Sequence, residues 1–404
     1  MRYLILGAGV AGLTFATRLK QTRGEDSFLI LEKNHEAGGL CRSTCYIGGG
    51  ITPIDIGGGH ILDVRCPQVT KFLFEFMPEN EWNKYVRDSR IALDNITVSH
   101  PLEANIWQFP LEEQVEYLDS IAKAGCNSGE KMPEKFVDWI RWKLGDKIAD
   151  DYMIPYNQKM FGENLNELGT YWLEKLPSVS FKETLISCLT KKAHGKQPGH
   201  AEFYYPKKFG YGEVWLRMAQ NISKHIEYGK TISAIDFNSN TVTTSDGGKY
   251  TAEKIITTIP WREFTNLNGM PIDIVSDIQS LKHTAIQVKY FPENLNSAAH
   301  WTYFANPALP YHRIIYQHNF NKNWRGYWTE TRAERVEGIL QDDKTSFLNA
   351  YAYPLNTIAK PKIMERLLAW CREKSVYGLG RWGEHQHYNS DLTAERAMAL
   401  AEEI

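Results

Sequence analysis

The 404-residue chain has no stretch of about 18 consecutive apolar residues, the length a membrane-spanning helix needs. It also has no charge excess: Lys plus Arg number 46 and Asp plus Glu 48, a net charge of −2. That balance excludes bulk attraction to nucleic acid or to an anionic membrane, so any anion site must be assembled locally. Paired CxxC motifs are missing. Six cysteines stand at 41, 45, 66, 126, 188 and 371, a scatter that argues for free thiols in a reducing compartment rather than zinc or a disulfide framework. Repeats and low-complexity tracts are missing too, as are a Ser–His–Asp constellation and a metal-ligand cluster, so the chemistry is expected from a cofactor and no metal is expected. Met1-Arg2-Tyr3 run straight into strand-like sequence, which leaves no room for a signal peptide and points to the cytoplasm.

What is present begins with Tyr3-Leu-Ile-Leu-Gly7, a short apolar run that fits a buried parallel strand. Val10 to Lys20 follows with helical periodicity, and Phe28-Leu-Ile-Leu31 reads as a second strand ended by Glu32. Strand, glycine loop, helix and strand within roughly thirty residues make a βαβ unit. Its loop reads Gly7-Ala8-Gly9-Val10-Ala11-Gly12. In a dinucleotide fold Gly7 permits the tight turn, Gly9 lets backbone approach a pyrophosphate, and Gly12 lets the helix pack on the strand. Glu32 is placed to accept both ribose hydroxyls, and the helix N-terminus offers N–H donors. A dinucleotide cofactor is therefore expected.

The rest divides by pattern. Residues 1–98 read as the first part of a dinucleotide-binding domain. Residues 99–195, rich in Trp, Leu, Glu and Lys at helical spacing, read as a helical insertion, with Glu130 to Phe161 as one or two amphipathic helices. The cofactor domain resumes over 196–285, with a hairpin at Thr231–Ser245 and a buried strand at Ile255–Ile259. Alternating sequence rich in aromatics over 286–355 suits an antiparallel sheet, and 356–404 supplies a closing strand and a helix capped by Ser390 or Asp391.

Glu32-Lys33-Asn34-His35-Glu36-Ala37-Gly38-Gly39-Leu40-Cys41-Arg42 resembles the GGxxR motif of the large amine-oxidase superfamily flavoproteins. The resemblance implies FAD, with Gly39 and Arg42 against its phosphates. Ile56-Gly57-Gly58-Gly59-His60 reads as a loop whose glycines approach a flat ligand, with His60 beside the isoalloxazine. Gly380-Arg381-Trp382-Gly383 and Asp391 precede a terminal helix whose N-terminus would face the ring and favour negative charge there.

Several segments together resemble the UDP-galactopyranose mutase family. Gly57 to His60 is similar to its glycine–histidine loop, and Pro101-Leu-Glu-Ala-Asn105-Ile-Trp to its entry into the helical domain. Pro155-Tyr-Asn157-Gln-Lys159-Met-Phe161-Gly162 resembles its PYxxKxWG motif, with Phe161 where tryptophan is usual. His300-Trp301-Thr302-Tyr303-Phe304 followed by Pro310-Tyr311-His312-Arg313 is similar to the eukaryotic members. Tyr351-Ala352-Tyr353-Pro354 resembles the bacterial YPVN segment. The resemblance implies an α/β fold: a Rossmann-like FAD-binding domain, an inserted helical domain and an antiparallel β-sheet substrate domain. It implies a redox-neutral interconversion of UDP-galactopyranose and UDP-galactofuranose, or of a related nucleotide sugar, through a covalent bond from the reduced flavin N5 to the sugar. Such activity serves cell-surface polysaccharide synthesis and needs a reductant, and family members are often homo-oligomers. Expected catalytic residues are His60 and Arg313. Expected substrate contacts are Tyr303, Arg313, Tyr353, Phe161, Asn157 and His387. Expected cofactor contacts are Gly7, Gly9, Gly12, Glu32, Gly39, Arg42, Gly58, Gly59, Arg381 and Asp391. The family's second diphosphate cation has Lys175 as its nearest counterpart. His387 and Asn389 replace the bacterial Tyr and Asp near the sugar, which leaves the sugar open. The same framework also accommodates an oxidase or dehydrogenase of the amine-oxidase or protoporphyrinogen-oxidase type.

Overall fold

The computed structural model describes residues 1–24, 27–45, 52–173, 179–196, 200–336 and 344–404. A five-stranded parallel sheet lies at its centre, in the order Ile226–Tyr228, Phe28–Glu32, Tyr3–Leu6, Lys254–Thr257, Val376–Gly378. Its central strand is buried on both faces because every side chain from Tyr3 to Leu6 is apolar. Tyr3 and Ile5 enter one hydrophobic core; Leu4 and Leu6 enter another on the opposite face. The first core is closed by helices Val10–Arg23, Glu213–Asn221 and Ser390–Glu403. The second is closed by helices Ile272–Ser280 and Lys360–Glu373 and by a four-stranded sheet that contains the expected hairpin, Ile232–Asp236 against Thr241–Thr244. The chain thus has the α/β architecture read from its sequence.

The larger sheet has seven strands, in the order Ser346–Pro354, His283–Phe291, Tyr327–Arg332, Tyr311–Ile315, Trp301–Phe304, Ser89–Ala92, Thr97–Ser99. Two expectations change here. The sheet is mixed, since Trp301–Phe304 runs parallel to Ser89–Ala92. Residues 89–99, assigned above to the end of the first cofactor-binding part and the start of the insertion, belong to this sheet. Ile91 and Val98 explain why: both are buried in the core that the sheet shares with the helical insertion.

That insertion contains Leu111–Ala122, Phe136–Ile148, Ile154–Phe161 and Phe181–Thr190. The expected helical stretch to Phe161 is interrupted at Gly145, whose φ of 76° and contact with the Ser120 carbonyl leave no place for a side chain. A π-turn at Ala149–Met153 follows. Strands Trp82–Val86 and Glu202–Pro206 pair on either side of the insertion and hold its two ends together. Lys159 bolts it to the sheet: its buried ammonium donates to the carbonyls of Phe304 and Asn306, 2.9 Å each. Among the described residues no helix is long and apolar enough to cross a membrane.

Candidate active site at the junction of two cavities

One cleft runs along the C-terminal edge of the parallel sheet. Gly7, Gly9, Val10, Ala11, Glu32, Gly39 and Arg42 form one wall; Thr258–Pro260, Leu348–Tyr351, Arg381 and Trp382 form others. No side chain caps the N-terminus of Val10–Arg23, so its first N–H groups are left for a ligand. The three glycines differ. A Cβ on Gly12 would lie 2.1 Å from the Gly7 carbonyl oxygen, so close packing there excludes any side chain. A Cβ on Gly9 would meet nothing nearer than Gly39 Cα at 3.8 Å, so Gly9 serves the open cleft. Gly7 (φ 105°) makes the turn. Glu32 stands at the end of its strand as expected, with both oxygens already engaged: Oε2 accepts the Ala8 N–H (2.8 Å) and Oε1 accepts the Asn34 N–H (2.9 Å) and its side-chain amide. Oε2 keeps a lone pair for one further donor, whereas Oε1 already accepts two hydrogen bonds. Arg42 closes its own loop by donating to the Gly39 carbonyl (3.1 Å). This donor set and open glycine loop fit a dinucleotide.

The second cavity lies against the seven-stranded sheet. His60, Arg87, Tyr303, Arg313, Tyr353 and Arg381 all line it. It therefore unites expected residues from four distant segments. His60 and Arg381 line both cavities and mark where they meet. Burial, and then the nearby Arg381 charge, pull His60 down to about 4. The ring is neutral at pH 7, and its Nδ1–H donates to the Gly58 carbonyl (2.9 Å), which leaves Nε2 as an acceptor. Arg381 is spanned by backbone, donating to the carbonyls of Tyr388 and Ala352.

Arg313 is less free than its motif suggested. Its Nε and one terminal nitrogen donate to Glu330 Oε2 at 2.9 and 2.6 Å. Glu330 is fully buried and also accepts the Gly59 N–H (2.7 Å). Burial opposes both charges, but their mutual attraction wins: Glu330 is held well below the usual carboxylate range and Arg313 above its ordinary value. Glu330 also revises the roles of Gly58 and Gly59. They line the second cavity, not the dinucleotide cleft, and their missing side chains make room for protein: Glu330 would lie 3.0 Å from a Cβ on Gly58, and Ile315 2.9 Å from one on Gly59.

Other expectations shift. Phe161 and Asn157 line a third, larger groove between the insertion and the sheet, which Tyr303, Arg87, His387 and Asn389 connect to the second cavity. The Asn157 amide donates to the Met153 carbonyl (2.7 Å). Asn389, not Ser390 or Asp391, holds the cap position of the terminal helix, and it makes no side-chain cap bond. The Ser390 hydroxyl instead shares a 2.7 Å hydrogen bond with Tyr211. Asp391 lines the third groove, away from the dinucleotide cleft; Ser390 and Thr393 line that cleft. Lys175 lies outside the described residues. Glu330 and Arg87 were not singled out from sequence, and no local motif marks them.

Residues 5–76 match the family model of the NAD(P)-binding Rossmann-like domain. Reduced UDP-galactopyranose mutase superposes with a TM-score of 0.88 at 20% identity, over 99% of this chain and 93% of that one. The chain has the fold of UDP-galactopyranose mutase. A wider circle shares the mutase framework less closely: putrescine oxidase bound to putrescine gives a TM-score of 0.61 at 12% identity, over 100% of this chain and 98% of that one. An FAD-binding monooxygenase of Aspergillus terreus is 27% identical over 146 residues, which is 36% of this chain. The match spans only 21% of that relative's length.

Proposed function

We propose that the chain binds FAD in the dinucleotide cleft and interconverts the pyranose and furanose forms of a nucleotide sugar, UDP-galactose or a close relative. The observation that carries this is the wall of the second cavity. Three arginines, 87, 313 and 381, meet there beside the dinucleotide cleft, and Arg313 is paired with Glu330. Asp55, which lines that wall, is pushed up to about 7 by burial and is held by Ser43, Tyr205 and Tyr211. Clustered cations are what a diphosphate requires, and guanidinium forks suit phosphate oxygens.

Reduced FAD supplies a nucleophilic ring nitrogen when bound. The protein's part is to bind and hold. Arg87 and the edge of Arg313 not taken by Glu330 retain the diphosphate after it leaves the sugar. The hydroxyls of Tyr303 and Tyr353 add hydrogen bonds; burial pushes Tyr353 up to about 12, which keeps it a neutral donor. Neutral His60 offers Nε2 as an acceptor at the junction and adds no cation to repel an oxocarbenium-like centre. His387 packs 4.8 Å from the Tyr353 ring, a place from which to contact the sugar. An amine oxidase would share the framework, but a cationic amine entering here would meet the same three arginines.

The test is to reduce the FAD-loaded protein with dithionite, add UDP-galactose or related nucleotide sugars, and separate the products. Furanose product formed only by the reduced protein is expected. Substrate-dependent bleaching of the oxidised flavin under anaerobic conditions would instead establish an oxidase.

A further inference from the structure

His200 stands where the chain leaves the helical insertion, just before strand Glu202–Pro206. That strand pairs with Leu62–Asp63, and the pairing brings the imidazole to the Asp63 carboxyl: Nδ1 lies 2.9 Å from Oδ2. Asp63 is fully buried. Burial opposes its charge, but hydrogen bonds from His200 and Arg65 outweigh it and hold the carboxyl well below the usual carboxylate range. An ionised carboxylate at that place fixes the tautomer, so that Nδ1 carries the proton and Nε2 the lone pair. Nε2, on the other side of the ring, meets the side-chain amide of Asn389 at 2.9 Å. The His200 side chain keeps 20% of its surface exposed and lines both the second cavity and the third groove, as Asn389 does. Asn389 itself is exposed, so a substrate hydroxyl can take the place of its amide. His60 is built differently. It rests on a backbone carbonyl, and burial pulls it down to about 4, which makes it a poor base.

Pyranose–furanose exchange needs a proton moved between two oxygens of the sugar. As the ring opens, the bond from the anomeric carbon to the ring oxygen breaks with its electron pair on oxygen, and that oxygen takes up a proton. As the ring recloses, a different hydroxyl oxygen bonds the anomeric carbon through a lone pair and gives up its proton. One imidazole that lends the first proton and recovers the second ends as it began, and no outside acid or base is consumed. We propose that His200 is this proton carrier, working through Nε2, and that Asp63 is the positioning residue that orients its ring. The proposal rests on the nucleotide-sugar reading above.

The experiment compares the FAD-loaded wild type with His200→Gln and His200→Gly. Glutamine keeps a polar group but cannot carry a proton at neutral pH. Glycine suits the backbone, because His200 has φ 62°, in the left-handed region. Both variants should keep wild-type flavin content and bind UDP-galactose within about threefold of the wild type by tryptophan fluorescence, while kcat falls about 100-fold or more. Added imidazole should raise the turnover of His200→Gly at least about tenfold and leave His200→Gln unchanged, an effect that a merely structural tether between Asp63 and the insertion would not give. Asp63→Asn should lower kcat about tenfold or more with KM unchanged. Turnover of His200→Gln within about threefold of the wild type, activity lost together with flavin or substrate binding, or no rescue of His200→Gly would overturn the assignment and leave the mutase reading standing. If the reduced wild type forms no furanose from any nucleotide sugar, both readings fall.

Discussion

Arg313 and Glu330 are the residues whose energies are most tightly linked. Glu330 is a fully buried charge and Arg313 a partly buried one, each made tolerable by the other, and Glu330 also ties down the Gly59 N–H. Removing one partner of such a pair costs about 3–5 kcal/mol, because the survivor is stranded in low dielectric. Arg313→Met and Glu330→Gln should each lose that much in urea unfolding, whereas the double variant should recover at least about half of the summed loss. Additive losses would show that the pair is not coupled. The consequence for function is that activity lost in Arg313→Met alone is ambiguous, and the double variant separates substrate binding from stability. Arg313 and Tyr303 were legible in the sequence because they stand in a spaced motif. Glu330 was not: it lies in Tyr327–Arg332, where its neighbours Trp328, Thr329 and Thr331 are also buried. A glutamate between two threonines reads as solvent-facing until its partner on the adjacent strand is known.

Among elements, the glycine loop and the helix behind it allow a sharper distinction than their motif did. Gly9 has φ −82°, a conformation alanine adopts freely, and a Cβ there would make only an ordinary contact with Gly39 Cα at 3.8 Å. Gly12 is packed against the Gly7 carbonyl. Gly9→Ala should therefore fold with near-native stability and lose cofactor affinity. Gly12→Ala must push the helix off the strand, and should lose stability by about 1–3 kcal/mol or more. Thermal melting of the cofactor-free proteins together with flavin content checks both; equal destabilisation would refute the distinction. The strands and helix around this loop were readable because short apolar runs with glycine punctuation determine buried parallel strands locally. The sheet membership of Ser89–Ser99 was not readable. Strand pairing at that range is decided by which core receives Ile91 and Val98, and nothing in the segment itself states it. The terminal helix was found, but its cap was misplaced because Ser390 has a stronger claim from Tyr211, a residue remote in sequence.

At the level of the whole molecule, the dinucleotide cleft is a seam. Its walls come from the first βαβ unit, from Thr231 and Ile232, from Thr258–Glu263, from Leu348–Tyr351 and from the Arg381–Thr393 segment. A cofactor bound there touches stretches from both ends of the chain and the edge of the seven-stranded sheet, so it links units that otherwise meet only through their own contacts. The helical insertion packs in a separate core with Ile91, Val98 and Leu355 and borrows little from this seam. Ligand that saturates the folded state at about 100 times its Kd adds about 2.7 kcal/mol. Stripping FAD should thus lower the melting temperature by several degrees, and the loss should be uneven. Hydrogen exchange should quicken at the N-terminal turns of Val10–Arg23 and Ser390–Glu403 and along Leu348–Tyr351, while Leu111–Ala122 and Phe136–Ile148 stay protected. Exchange that rises equally in the insertion would mean that the cofactor stabilises the molecule globally and not at this seam. If so, the junction marked by His60 and Arg381 would depend on the whole fold for its shape, and substitutions in the helical insertion would be expected to disturb flavin binding.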